Sequence, residues 1–308
     1  MKKDIYINSI GAFLPGNPIS NDEIEDYLGR IHGKDSRLKN RILKNNGIQS
    51  RYYAIDKNQN SLLSNAAMAS NAIADSLAKI GKTTSDIDFL SAASTQGDLP
   101  VPGFANMVHA ELKCQPIEVA SYNGVCISGM QALKGAYLQV KSGEKNLAIS
   151  CASEFPSRLF KASRFEKQNQ EQLSFDTEFL RFMLSDGAGA MTISDAPNLK
   201  GLSLKIEWIS VNSYSGNHEL CMYAGKNPDD ERSWLDYPDF ETAAAEGAIN
   251  LKQDVRLLDE MVKLGVDRFF ELIDQGKINP KNIDWLVCHY SSEFFKGQIK
   301  ELLTKGGL

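Results

Sequence analysis

Residues 117–154 read IEVASYNGVCISGMQALKGAYLQVKSGEKNLAISCASE, and the rest of the chain is organised around them. The first six residues have mixed β character, and Asn123-Gly124 then supplies a pair suited to a sharp turn. Cys126 follows at once. Beyond it, Ile127, Met130, Leu133, Tyr137 and Val140 recur at helical spacing, and Gly143 is a natural stop. Residues 147–151 form a second β run. A strand, a tight turn, a helix and a strand place the Cys126 sulfur just before the helix, where unpaired backbone N–H groups and the positive end of the dipole gather. Only the thiolate is a good nucleophile, so this setting is expected to raise the reactive fraction of the thiol. The other reading is a small apolar side chain filling a buried turn.

The flanking sequence continues the alternation of strand and helix. Residues 5–14 read as a strand, broken by Pro15-Gly16-Asn17-Pro18, and Ser20 with Glu23 has capping-box spacing that predicts a helix start. Residues 30–46 are polar and basic, a solvated loop and helix. Residues 61–80 are rich in alanine and predict a helix packed closely on a sheet, ended by Gly81. A strand at 87–94, a Pro- and Gly-containing loop at 96–103 and a helix at 104–112 lead into the Cys126 unit. Residues 187–193 form a strand whose Gly187 and Gly189 fit close backbone packing, because the third glycine of a dinucleotide loop is absent. In the second half a β run is expected at 202–211, a solvated loop at 227–241, and a helix at 252–273 with an apolar stripe stopped by Gly276. Residues 285–288 read as a buried strand ending at His289. Helices that return the chain between strands argue for an α/β protein with parallel strand pairing. Residues 155–182 carry several aromatics with Arg158, Lys161, Arg164 and Lys167. They read either as a mobile cover over a pocket or as an exposed insertion.

Composition narrows the function classes. With 308 residues, 42% of them hydrophobic, the chain can bury a large core and hold two structural units. A net charge of −5 gives no broad basic surface, so neither a nucleic-acid nor a membrane partner is expected. No run approaches the roughly 18–20 apolar residues of a membrane span and no signal-peptide core follows the N-terminus, so a cytoplasmic protein is expected. Cys114, Cys126, Cys151, Cys221 and Cys288 are widely spaced without a C-x-x-C pair, which suits neither a disulfide framework nor a zinc site. Cys151 and Cys288 lie in apolar β runs and are expected in the core. The four histidines form no metal-ligand pattern, so no metal is expected. Gly81-Lys82-Thr83 has Ser76 where a phosphate loop needs its first glycine.

Four segments resemble one known family. YNGVCISGMQAL at 122–133 resembles the nucleophile segment of the ketoacyl-acyl carrier protein synthase III enzymes, which have the thiolase-like fold. NGIQSRYY at 46–53 is similar to their early Thr-Gly-Ile-x-x-Arg segment, SDGAGA at 185–190 to their Gly-Asp-Gly-Ala-Gly-Ala, and DWLVCH at 284–289 to the strand ending in their catalytic histidine. The resemblance implies two similar βαβ-rich halves forming a layered α-β-α-β-α core. Residues 1–198 would carry the nucleophile Cys126, and residues 199–308 would carry His289, facing it across the interface of the halves.

The activity so implied is decarboxylative Claisen condensation of an acyl thioester primer with malonyl-carrier protein through an acyl-Cys126 intermediate, by a transferase of fatty acid or polyketide synthesis. The alternatives are a Cys-His acyltransferase of the same fold serving an alcohol or amine, and a non-catalytic acyl-binding partner. No bound cofactor is implied; the phosphopantetheine arm of a carrier protein or coenzyme A carries the substrate. Acyl carrier protein is the expected partner and a homodimer the expected assembly. The positions at which the family holds the adenine end of coenzyme A with tryptophan and arginine are Arg41 and Asn45 here, which favours a carrier-protein primer and leans toward a specialised-metabolism member. The family's His-Gln-Ala-Asn is His289-Tyr290-Ser291-Ser292, so Ser292 takes the supporting position. A third polar group, an asparagine, would fall beyond Leu308 with the last strands of the second half, so the sequence is expected to be incomplete at its C-terminus or a short form without condensing activity. Lys296, Lys300 and Lys305 form either a docking patch for an acidic carrier protein or a solvated face.

Overall fold

The structure, a computed structural model, describes residues 3–168, 173, 175–228 and 230–307. The chain begins with β1 (Tyr6–Phe13), β2 (Ile19–Ser20), α1 (Ile24–Leu28), α2 (Lys39–Asn46) and β3 (Ser50–Arg51). It continues through α3 (Asn65–Ala78), β4 (Phe89–Ser94), α4 (Phe104–Leu112), β5 (Glu118–Asn123), α5 (Ser128–Ser142), β6 (Leu147–Glu154), α6 (Phe175–Arg181) and β7 (Gly187–Ser194). The remainder holds β8 (Leu204–Lys205), β9 (Met222–Tyr223), α7 (Phe240–Ala245), β10 (Lys252–Gln253), α8 (Leu258–Asp274) and α9 (Glu293–Lys305).

One sheet dominates, in the order β5-β4-β6-β7-β1-β8. Strand β4 pairs in parallel with β5 and β6, as the βαβ reading requires, but β7 runs antiparallel to both β6 and β1. The sheet is therefore mixed, where the alternation of elements argues for parallel pairing. The connection from β6 to β7 stays at one end of the sheet, so Glu154 ends beside Gly187 and the next strand runs back.

Period-two alternation sorts the strand side chains onto two faces. Leu90, Ala92, Ile149 and Cys151 join the buried cluster with α3 and α4, whereas Phe89, Ala148 and Ile193 pack with Leu133, Ala136, Tyr137 and Val140 of α5. The alanine-rich surface of α3 allows close approach: a Cβ on Gly11 of β1 would come within 2.2 Å of the Ala72 carbonyl oxygen. Ser64 caps α3 by accepting from Ala67 N at 3.0 Å, and the Asp98 carboxylate accepts from Asn65 N and Ala66 N. The outer side of α5 leaves Ile127, Met130 and Leu138 exposed.

The α/β class is thus visible in the first half, as a sheet between α3 with α4 on one face and α5, which follows Cys126, on the other. The second half departs from its sequence reading. Residues 281–290 are all exposed, with Trp285 87% and Val287 95% accessible, so the buried strand expected at 285–288 is absent and Cys288 lies at the surface rather than in the core. An apolar run becomes a central strand only when neighbours pair its backbone and cover both faces, and no described strand flanks this one. The β run at 202–211 shrinks to the pair Leu204–Lys205, and α8 starts only at Leu258, after β10 and a short 3₁₀ turn.

Residues 155–182 are not an exposed insertion where the structure describes them; residues 169–172 and 174 lie outside the described residues. Phe155, Phe160, Phe165, Leu180 and Phe182 enter the main core, and the guanidinium of Arg158 meets Asp98 at 2.7 Å. Asp186, just beyond this segment, is 2% exposed and accepts from Ala54 N, Ser157 N and the Ser157 hydroxyl. Burial raises its pKa to about 6, against the lowering effect of those donors. The folded protein therefore holds this proton more tightly than the unfolded chain. The stabilising contribution is fully present below the ordinary aspartate value near 4 and is lost as pH rises through about 6. Relative to wild type, an Asp186→Asn variant is expected to gain about 2 kcal/mol between pH 4 and pH 7 in urea unfolding. A stability difference that stays constant across this range would contradict the assignment.

Candidate active site around Cys126

Strands β4, β5 and β6 end together, and the turn after β5 carries the nucleophile candidate. Asn123 Nδ2 donates to the Thr95 carbonyl at 3.1 Å, which pins the turn to the end of β4. The carbonyl of Val125 accepts from Ser128 N and that of Ile127 from Gln131 N, so the helix opens immediately after Cys126. Gly143 stops α5 at φ +88°, a backbone conformation that favours glycine.

Cys126 is exposed at the surface, yet the protein crowds around its sulfur enough to disfavour the charged form. This burial pushes the thiol pKa up; its own backbone N–H acts the other way, and Glu154 adds to the rise. The lowered pKa expected from the helix start is therefore not what the site displays, because desolvation of the thiolate outweighs the favourable donors. The remaining cysteines differ in kind. Cys151 is fully enclosed, its thiol pushed up to about 12 by burial, in keeping with its place in a core strand. Cys221, near enough for Cys126 to raise its pKa further, donates its S–H to the Asp254 carbonyl at 3.4 Å.

Glu154 is the site residue that sequence reasoning missed. It ends β6, accepts from Thr95 N at 2.7 Å and from Thr95 Oγ1 at 2.8 Å, and is raised by burial to about 7. An ionisable residue closing the apolar strand run LAISCASE was the available signal.

His289 does not join this group. It is exposed, and among the described residues no hydrogen bond or charge interaction links it to Cys126. Ser292 serves the backbone instead of a catalytic histidine. It caps α9, accepting from Phe294 N at 3.3 Å, and its hydroxyl donates to the Asn45 carbonyl. Arg41 lies over the Phe175 ring, 5.9 Å from its centroid. On α9, Lys296 and Lys305 pair with Glu293 and Glu301 on the same helix, which favours a solvated face over a docking patch. Among the described residues no group of side chains has the arrangement of a metal site, and no helix is long and apolar enough to cross a membrane.

No family model matches the chain. The chain spans about half the length of the first curated relatives it matches: beta-ketoacyl-[acyl-carrier-protein] synthase III of Ehrlichia ruminantium is 28% identical over 189 residues, 61% of this chain and 51% of that one. Other relatives of the same name match nearly throughout. That of Granulibacter bethesdensis is 28% identical over 292 residues, covering 95% of this chain and 78% of its own, and that of Neisseria gonorrhoeae is 25% identical over 293 residues, covering 93% and 77%. The chain is similar to the ketoacyl-acyl carrier protein synthase III enzymes over most of its length. Solved structures agree with this likeness in fold. AbyA1, a tetronic acid condensing enzyme, superposes with a TM-score of 0.72 at 16% identity, covering 98% of this chain and 82% of its own. The synthase III of Pseudomonas aeruginosa gives 0.64 at 16% identity, with 98% and 80% covered.

Proposed function

We propose that the protein is a cysteine-dependent acyltransferase that condenses an acyl thioester with malonyl-carrier protein, with Cys126 as the acyl-accepting nucleophile. What carries this reading is the thiol at the opening of α5, in a family whose named members are synthases of this type. The Cys126 thiolate attacks the thioester carbonyl, and backbone N–H groups at the helix start stabilise the oxyanion of the tetrahedral intermediate. The carrier thiol departs with a proton, leaving acyl-Cys126. Malonyl-carrier protein then loses carbon dioxide, and the enolate carbon attacks the acyl group to release a 3-oxoacyl thioester and regenerate the thiolate. In this step His289 donates a hydrogen bond to the thioester oxygen of the extender. It must approach from its exposed position at the surface to do so. The reading includes no bound cofactor, an acyl carrier protein as partner, a homodimer, and a cytoplasmic location. For the organisation of the chain we keep residues 1–198 as the nucleophile half and 199–308 as the histidine half.

The test is carbon dioxide release from malonyl-carrier protein in the presence of an acyl donor. Wild type is expected to release it in step with product, and His289→Ala is expected to keep acylation while losing decarboxylation by about 10²-fold or more. One observation favours a second reading, in which the acyl group passes to an alcohol or amine without decarboxylation: His289 stands apart from Cys126. Efficient transfer to such an acceptor without carbon dioxide release would select it. Absence of any acyl adduct would leave a non-catalytic acyl-binding partner.

A further inference from the structure

We infer that Glu154 is a positioning residue for the Cys126 thiol, coupling its own protonation through the Thr95 hydroxyl to the nucleophile turn. The inference rests on the reading of Cys126 as the nucleophile.

Thr95 Oγ1 has two acceptors within reach, Glu154 Oε1 at 2.8 Å and the Gly124 carbonyl at 3.2 Å, but only one hydrogen to give. When Glu154 is ionised, the hydroxyl hydrogen goes to the carboxylate, the stronger acceptor, and Gly124 loses its donor. When Glu154 is protonated, its O–H donates to Thr95 Oγ1, while Thr95 N still donates to Oε1. The hydroxyl is then free to hold the Gly124 carbonyl, two residues before Cys126. The carboxyl thus decides whether the turn is tied, and its negative charge, when present, opposes the thiolate.

The surrounding charges leave this coupling intact. Arg158 is the cation that acts on Glu154, and it is already paired with Asp98. From β7 the partner of Glu154 is Gly187, which has no side chain to titrate. The groups acting on the Cys126 thiol are Glu154 and its own backbone; Cys221, which Cys126 influences, is bordered by Asp254 and Asp176. Glu154, raised to about 7, changes charge in the neutral range where a general acid or base is most effective.

The experiment follows alkylation of Cys126 by iodoacetamide against pH, quantified at its own peptide so that exposed Cys288 does not interfere. Cys126→Ala serves as blank, and circular dichroism checks each variant's fold. In wild type the log rate is expected to climb with a slope below one between about pH 6 and 8, because Glu154 ionises as the thiol begins to do so. Glu154→Gln is expected to restore a slope of one and to lower the thiol midpoint, so that alkylation below the midpoint is faster than in wild type. Thr95→Val removes a donor that favours the carboxylate, so the shallow region should move to higher pH; this variant carries the test if Glu154→Gln fails to fold. Superimposable profiles overturn the coupling, as does a parallel slowing at every pH, which a packing role would produce. The readout needs no acyl substrate. Superimposable profiles with acyl-Cys126 still formed reject the coupling alone, and loss of the acyl adduct with the coupling intact rejects the condensing reading alone.

Discussion

Cys126→Ala is expected to lower formation of the 3-oxoacyl product at least ~10³-fold, measured by product release under saturating donor and malonyl-carrier protein. The expected loss is large because none of the other four cysteines stands directly before a helix as Cys126 does, and Cys114, between α4 and β5, has its thiol pushed up by burial. Cys151 is enclosed with its thiol held protonated by burial, and Cys288 lies on the exposed stretch 281–290 with no helix start beside it. Cys221 is nearby, but Gln253 and the Asp254 carbonyl hold its sulfur and burial raises its pKa. Without a nucleophile the reaction must proceed by direct attack on the donor thioester, and the split into two easier steps is lost. A variant retaining a tenth of the wild-type rate would move the acyl-accepting role away from Cys126.

Arg181→Ala is expected to destabilise the protein by about 3–5 kcal/mol in urea unfolding. Arg181 is 1% exposed and ends α6 inside the main core. Its Nε donates to the Phe160 carbonyl at 3.1 Å and its Nη2 to the Gly29 carbonyl, while Nη1 stands 3.9 Å from Glu25. The variant would leave both carbonyls without that donor, remove one of the two cations beside Glu25, and open a void against the Phe182 ring. Glu25 would keep Lys39 at 3.1 Å, which limits the penalty to that of a partly compensated charge. A loss below about 1 kcal/mol would mean that water reaches this cluster and that residues 155–182 are not the packed core element described.

The elements legible in the sequence are those whose signals are local. The helix expected at 104–112 is α4, and the start of α5 after Cys126 and its stop at Gly143 follow from propensity and spacing alone, whereas Asn123 still belongs to β5 and the turn closes at 125–128 rather than at Asn123-Gly124. Strand direction is less legible: β7 reads like its neighbours but runs against them, because the connection from β6 determines its sense. Residues 285–288 mislead for a related reason, since apolar character does not provide the pairing partners that a strand needs. The aromatics of 155–182 look like surface because polar residues separate them, yet Phe155, Phe160, Phe165 and Phe182 all turn inward. At the site, the position of Cys126 can be read directly. Its electrostatics cannot, because Glu154 and Cys221 reach it from distant parts of the chain and burial reverses the expected pKa shift.

Intact-mass analysis after mixing the protein with an acyl thioester in the absence of malonyl-carrier protein tests the central assignment most directly. We expect one added acyl group per chain, localised to the Cys126 peptide and absent from Cys126→Ala. An unmodified wild-type chain, or an adduct that persists in Cys126→Ala, would contradict it.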